Sequence, residues 1–340
     1  MPVSRARGLV ALVALGLVAC HRPPAGVPLD AGVDASPRPR RLDLLVVLPG
    51  GSAYAEVDLL GSIAVQPMMK RLLAPPDGRP VQDLHFGVVS AQLTIAQLEK
   101  CADDPLVRDG LLLVPIDLPP LSWPASEPWP PATPYLSIDM AARMDLGRVA
   151  AGWVGAAPVS WSCRWPQFME AVVAAVDGRN PGFVRDDSLL AVLMIGLRED
   201  CSTRDPSLWG TGWYEGKCGP DSCCYIPAPD GLLQPVSHYV SALPAAHAQG
   251  SLLVLVAGHP GQPEFLDLGP PIGLLIQKSC LGITSVLPSV RLAQLVQGLQ
   301  ALGDERVGAH FVDLCPMPAG AALEAAFDEF ADKILNRLER

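Results

Sequence analysis

Three short stretches of this chain are nearly continuous apolar runs: residues 42–48 (Leu-Asp-Leu-Leu-Val-Val-Leu), 189–195 (Leu-Leu-Ala-Val-Leu-Met-Ile) and 252–256 (Leu-Leu-Val-Leu-Val). A strand with one wet face alternates apolar and polar residues, so an unbroken run implies a strand covered on both faces. Residues 84–90 read as a further strand, 111–116 as a possible third, and 310–314 as the last. Helical patterns lie between them. Residues 54–73 form one, which Pro67 should kink or split. Residues 166–176 place Met169, Val172, Val173 and Val176 on one face, with Gly178 behind as a stop. Residues 236–247 are helical in pattern, and 291–302 carry Leu292, Leu295, Val296 and Leu299 as one stripe. A last helix from about residue 320 buries Leu323, Phe327, Phe330, Ile334 and Leu338. Strands alternating with helices predict an α/β domain, doubly wound, with a mostly parallel central sheet flanked by helices.

The first residues have a different character. Arg5 and Arg7 precede an uncharged apolar stretch over residues 8–18, too short for a permanent bilayer span, which needs about 20 apolar residues. It ends in Leu17-Val18-Ala19-Cys20, which resembles the lipobox of bacterial lipoproteins. The resemblance implies a signal peptide over residues 1–19 and a diacylglycerol on the Cys20 thiol. Acyl chains contribute about 0.8 kcal/mol per buried CH₂, so several of them make a stable anchor. His21 rather than Asp follows the lipidated cysteine, which in the usual sorting pattern favours the outer membrane. Five prolines between His21 and Arg41 (Pro23, Pro24, Pro28, Pro37 and Pro39) read as a tether over residues 20–41. The folded domain is expected over residues 42–340.

The apolar fraction of 49% suits a packed globule. Formal charge is −10, and losing Arg5 and Arg7 would make it −12. Such an acidic chain has no electrostatic reason to bind nucleic acid. Beside Cys20 the chain has eight cysteines: Cys101, Cys163, Cys201, Cys218, Cys223, Cys224, Cys280 and Cys315. An even number in an exported protein points to disulfides, of which eight cysteines allow about 105 pairings. The expected pairs are Cys280 with Cys315, Cys101 with Cys163, and Cys201 with a member of the 218–224 group. Adjacent Cys223 and Cys224 would chelate a tetrahedral metal poorly.

The segment Asn180-Pro181-Gly182-Phe183-Val184-Arg185-Asp186-Asp187 leads into the strand at 189–195 and then Arg198-Glu199-Asp200-Cys201-Ser202. This resembles bacterial lipoproteins with a von Willebrand factor A-like domain. In them an Asn-x-Gly-Phe-x-Arg-x-Asp/Glu phrase precedes a strand ending in Thr-Asp-Glu-Asp-Asp-Cys-Ser. The strand from Asp43 to Leu48, and Cys280, Arg291 and Cys315, fit the same pattern. The resemblance implies a von Willebrand A-like fold and, normally, a metal-ion-dependent adhesion site built from oxygen ligands. Here the ligand positions fall on Pro49, Gly51, Ala53 and Leu197, none of which ligates through its side chain, with Arg198 alongside. The loop at 155–163 holds no Thr. The site is therefore expected to be degenerate, with no metal and no cofactor.

A rearranged site from Ser52, Glu199 and Asp200 has suitable ligand types, but Glu199 and Asp200 are better read as capping a helix or pairing with Arg198. The turn Gly50-Gly51-Ser52 invites a hydrolase reading, yet Tyr54 stands where a nucleophile elbow needs glycine, and no phosphate-loop lysine follows. His85 and His310 sit in expected strands as structural residues. No catalytic residue is assigned. The expected function is a non-enzymatic, lipid-anchored envelope protein, a binding or scaffold module for another envelope or extracellular protein. Ligands of open α/β sheets gather at the carboxyl ends of the strands. The candidate binding face is therefore Gly50, Gly51, Ser52, Arg198, Glu199 and Asp200, with Trp129 from the Pro- and Trp-rich stretch at 115–134. A metal-dependent adhesin and an envelope hydrolase are the alternatives.

Overall fold

The computed structural model describes residues 39–49, 65–93, 109–113, 133–142, 145–156, 165–204, 224–225, 233–247, 250–258, 260, 265–267, 274–276, 287–313 and 321–339. The chain divides after Arg38, and Pro39–Arg340 forms one compact unit. Its centre is β1 (Arg41–Leu48), which pairs in parallel with β2 (Asp83–Ser90) on one side and β4 (Leu189–Gly196) on the other. Beyond β4 lie β5 (Ser251–Ala257) and then β8 (Val307–Asp313), both parallel, while β3 (Leu136–Ser137) closes the opposite edge antiparallel to β2. The order is β3-β2-β1-β4-β5-β8. A short antiparallel pair, β6 (Phe265–Asp267) and β7 (Leu274–Ile276), forms a separate sheet.

Helices cover both faces, which is why the inner strands tolerate no polar alternation. Leu42, Leu44, Val46 and Leu48 of β1 share a core with α1 (Gln66–Leu73), α2 (Leu146–Ala156) and α6 (Ala321–Arg337). Leu45 and Val47 point the other way, into a core with α3 (Phe168–Val176), α4 (Val236–Ala245) and α5 (Val290–Ala301). All eight residues of β4 and all seven of β5 are buried. The fold is the doubly wound α/β class, a mostly parallel central sheet flanked by helices, that the strand–helix alternation implied.

Several elements differ from expectation. The run at 111–113 forms no strand: Leu112 and Leu113 are buried, and the Leu113 amide bonds the Val88 carbonyl at 2.7 Å. Leu112 fills the space left by Gly87, where a Cβ would lie 2.8 Å from its methyl group and from the Phe183 ring. The sheet edge is supplied instead by the two-residue β3. Pro67 lies in the first turn of α1, where a missing N–H costs nothing. The earlier part of that expected helix, through residue 64, lies outside the described residues. Helix α2, absent from the sequence reading, buries Leu146, Val149, Ala150, Trp153 and Val154 at helical spacing. Among the described residues no helix is long and apolar enough to cross a membrane.

Candidate functional site

At the carboxyl end of β4 the chain turns into Leu197-Arg198-Glu199-Asp200-Cys201-Ser202, and this loop holds the first turns of two helices. The helix-preceding residues Gln167 and Ser289 make no side-chain cap of their own. For α3, the Met169 amide donates to Asp200 Oδ1 at 3.0 Å and the Glu170 amide to Ser202 Oγ at 3.2 Å. For α5, the Val290 amide donates to Glu199 Oε2 at 2.7 Å and the Arg291 amide to both Glu199 oxygens at 3.1 Å. A carboxylate at a helix N-terminus satisfies orphan donors and the positive end of the dipole together.

The remaining bonds close a polar knot. Asp200 Oδ2 accepts the Ser202 amide at 3.0 Å and faces the Arg291 guanidinium at 3.3 Å, which also donates to the Gln234 carbonyl at 2.8 Å. Ser202 Oγ donates to Asp200 Oδ1 at 2.7 Å, and Tyr239 donates to Glu170 at 2.9 Å. Burial, then the nearby charges of Asp200 and Glu170, push the Tyr239 phenol up. The loop is pinned by a disulfide between Cys201 and Cys224, their Cα atoms 5.2 Å apart, which is the pairing expected for Cys201.

These contacts revise the expected binding face. Glu199 and Asp200 do cap helices, but the cation they meet is Arg291, brought in from 91 residues away. Both are buried, at 2% and 0% exposure, so they face inward and cannot present themselves to a partner. Every oxygen of the two carboxylates accepts protein N–H or O–H donors, and a cation would have to displace these. Arg198 is half-buried. Gly50, Gly51, Ser52 and Trp129 lie outside the described residues, as do Cys20, Cys101, Cys163, Cys218, Cys223, Cys280 and Cys315. Of the aligned adhesion-site positions, Pro49 and Leu197 are buried apolar residues, while Gly51 and Ala53 are not described. Among the described residues no group of three or more His, Cys, Asp or Glu is placed to hold a metal.

Glu199 also sets a pH dependence. Burial pushes its carboxyl up to about 7, against the lowering effect of the Asp200 and Arg291 amides. The folded protein then holds a proton that the unfolded chain, near 4.5, has released. Stability from this group is full below about pH 4.5 and lost as pH rises through about 7. We expect the urea midpoint to fall across that window by an amount equivalent to about 3 kcal/mol, and the fall to vanish in Glu199→Gln. A midpoint rising with pH would mean instead that the α5 amides hold the carboxylate ionised.

The amino end of the sheet carries a second polar cluster, and here the Asn180–Asp187 phrase finds its role. Asn180 Oδ1 accepts the Leu112 amide at 2.8 Å, while its Nδ2 donates to Gly110 and Ala175 carbonyls at 2.9 and 2.8 Å. Gly182 turns with φ 79°, where a side chain is strained, and Phe183 then enters the core at 0% exposure. Arg185 follows, and its amide and Nε bond Asp43 at 2.7 and 2.9 Å. Asp43 is wholly buried on β1; it also accepts Ser188 Oγ and has His85 Nδ1 at 3.7 Å. His85 donates to the Phe183 carbonyl at 2.9 Å and His247 to the Arg185 carbonyl at 2.8 Å. The sequence signal for this cluster was the one acid inside an apolar strand. Its chemistry is structural, since a carboxylate with no exposed surface cannot reach a substrate.

No protein-family model and no curated protein sequence matches the chain. Among solved structures it is similar to the human COPII-coat protein Sec24c, with a TM-score of 0.39 and 8% sequence identity over 87% of this chain. The chain spans 32% of that protein's length.

Proposed function

We propose that this chain is a non-enzymatic, lipid-anchored protein of a bacterial outer membrane, and that its α/β domain is a protein-binding or scaffold module with a lost metal-ion-dependent adhesion site. The observation that carries the reading lies at the carboxyl end of the sheet, where open α/β domains place their ligands. There Glu199 and Asp200 spend all their oxygens on helix caps and Arg291, and are buried. Carboxylates so committed serve neither as acid–base catalysts nor as cation ligands. Recognition then falls to half-buried Arg198 of the same loop, together with Trp129 as the sequence-assigned aromatic of this face. The anchor rests on the Leu17–Cys20 box and the apolar run before it.

The test is made on the full chain expressed in a bacterial envelope. Wild type is expected to incorporate labelled palmitate and sediment with outer membranes, and Cys20→Ala to do neither. An unlabelled wild type would sink the anchor. Partner crosslinking is expected to weaken in Arg198→Glu and Trp129→Ala by more than any fall in melting temperature accounts for; unchanged capture excludes this face. A melting temperature raised by millimolar Mg²⁺ or Ca²⁺ after EDTA would favour an adhesin, and fluorophosphonate labelling of Ser52 a hydrolase.

A further inference from the structure

Strand β8 is the last of the sheet, and α6 lies across the face presenting Gly308, His310 and Val312. Between the amino end of β8 and the last turns of α6 there is a cavity of about 360 Å³. Leu252, Gly308, His310, Lys333, Asn336 and Arg337 are among the residues that line it. Lys333, Asn336 and Arg337 fall at i, i+3 and i+4, so α6 offers them from one face. The strand opposite is shaped to receive them. A Cβ at position 308 would come within 2.7 Å of Arg337 Nη2 and of the Leu252 side chain. Glycine there leaves room for the guanidinium to lie against the sheet, where Nη1 donates to the Arg306 carbonyl at 2.8 Å. Nη1 also lies 3.5 Å from the Ser251 carbonyl, so two backbone oxygens hold the group in place.

Lys333 reaches across to His310, its Nζ 3.2 and 3.3 Å from the two ring nitrogens, while Glu329 pairs with it at 2.9 Å on the outer side. Burial, then Lys333, hold the imidazole pKa below its ordinary value, with Glu329 acting the other way. Asp304 beside Arg306 also feels Arg337. In a chain of formal charge −10, a pocket walled by an ammonium, a guanidinium, an amide and an imidazole stands apart.

We propose that this cavity binds a phosphate group, with Lys333, Arg337 and Asn336 as its donors. A carboxylate offers two oxygens on one edge. A phosphate offers oxygens in several directions, and so suits donors arriving from separate turns of a helix. On binding, the anion competes with Glu329 for Lys333, and His310, now beside a negative group, takes a proton from solvent. The reading is independent of the membrane anchor. The same phosphate chemistry could come from a free phosphate monoester or from a lipid headgroup.

The experiment follows the His310 imidazole by NMR in the detergent-solubilised full chain. Inorganic phosphate is expected to raise its titration midpoint by about one unit, saturably. Chloride at matched ionic strength is expected to leave it unmoved. Lys333→Met with Arg337→Met should abolish the response. Gly308→Ala, a one-methyl change, should weaken it should that pair fail to fold. Identical titrations in phosphate and chloride, or a phosphate response surviving in a folded double variant, would overturn the proposal. Vesicles containing phosphatidylglycerol, compared with phosphatidylcholine alone, separate the sources. A response to free phosphate only assigns a soluble ligand, and a stronger response to the anionic vesicles assigns a headgroup.

Discussion

Replacing Arg185 with Met is expected to lower the unfolding free energy by about 3–5 kcal/mol, the range for removing one partner of a buried ion pair. Asp43 is the reason. It has no exposed surface, and its two oxygens are held by the Arg185 amide, the Arg185 guanidinium and Ser188. Without the guanidinium a carboxylate remains buried beside one hydroxyl, one amide and His85. The reciprocal change, Asp43→Ala, should cost less. Arg185 is 17% exposed and keeps the Leu42 carbonyl at 3.1 Å and an ion pair with Asp83. A double variant with both charges replaced by apolar residues should recover much of the loss, because the desolvation penalty disappears with the charge. Urea melts at one pH check the order. If Arg185→Met cost under about 1 kcal/mol, the cluster would be no more than a surface pair, and the Asn180–Asp187 phrase would need another explanation.

That ion pair also shows what the sequence could and could not reveal. Strands β4 and β5 were legible because burial on both faces writes itself as an uninterrupted apolar run. The run at 111–113 carries the same signal for a different reason: it packs under Gly87 rather than joining a ladder, and composition does not separate the two. Strand β3 has only two residues, below any periodic signal. The start of α1 carries little local signal, because Val65 before it makes no side-chain cap. In the candidate site, the capping role of Glu199 and Asp200 followed from local chemistry. Their targets did not. One first turn lies 31 residues before Asp200 and the other about 90 after it, and only the sheet brings both to one loop. For the same reason Arg198, their neighbour in sequence, was the natural pairing choice, while the structure delivers Arg291.

Asp200→Ala is expected to cost about 2–3 kcal/mol, below Arg185→Met, because the Arg291 guanidinium it strands is 15% exposed and keeps the Gln234 carbonyl. Asp200 sits at 0% exposure and joins three things at once: the Met169 amide of α3, the Ser202 amide and hydroxyl, and the Arg291 guanidinium of α5. Losing a helix cap alone costs about 1 kcal/mol, and the buried Ser202 amide and hydroxyl left without their acceptor add a similar amount. Asp200→Asn keeps one acceptor oxygen, so it should fall between wild type and Ala. The Cys201–Cys224 bond stays intact in both, so a reduced control separates the knot from the disulfide. The outcome bears on function as well. Asp200→Ala acts through the fold, so any loss of partner capture should track its fall in melting temperature. Arg198→Glu, at the half-buried surface of the same loop, should lose more capture than its fall in melting temperature accounts for. If Asp200→Ala instead left stability intact and abolished binding, the carboxylate would be a recognition group after all. The carboxyl end of the sheet would then hold a working site.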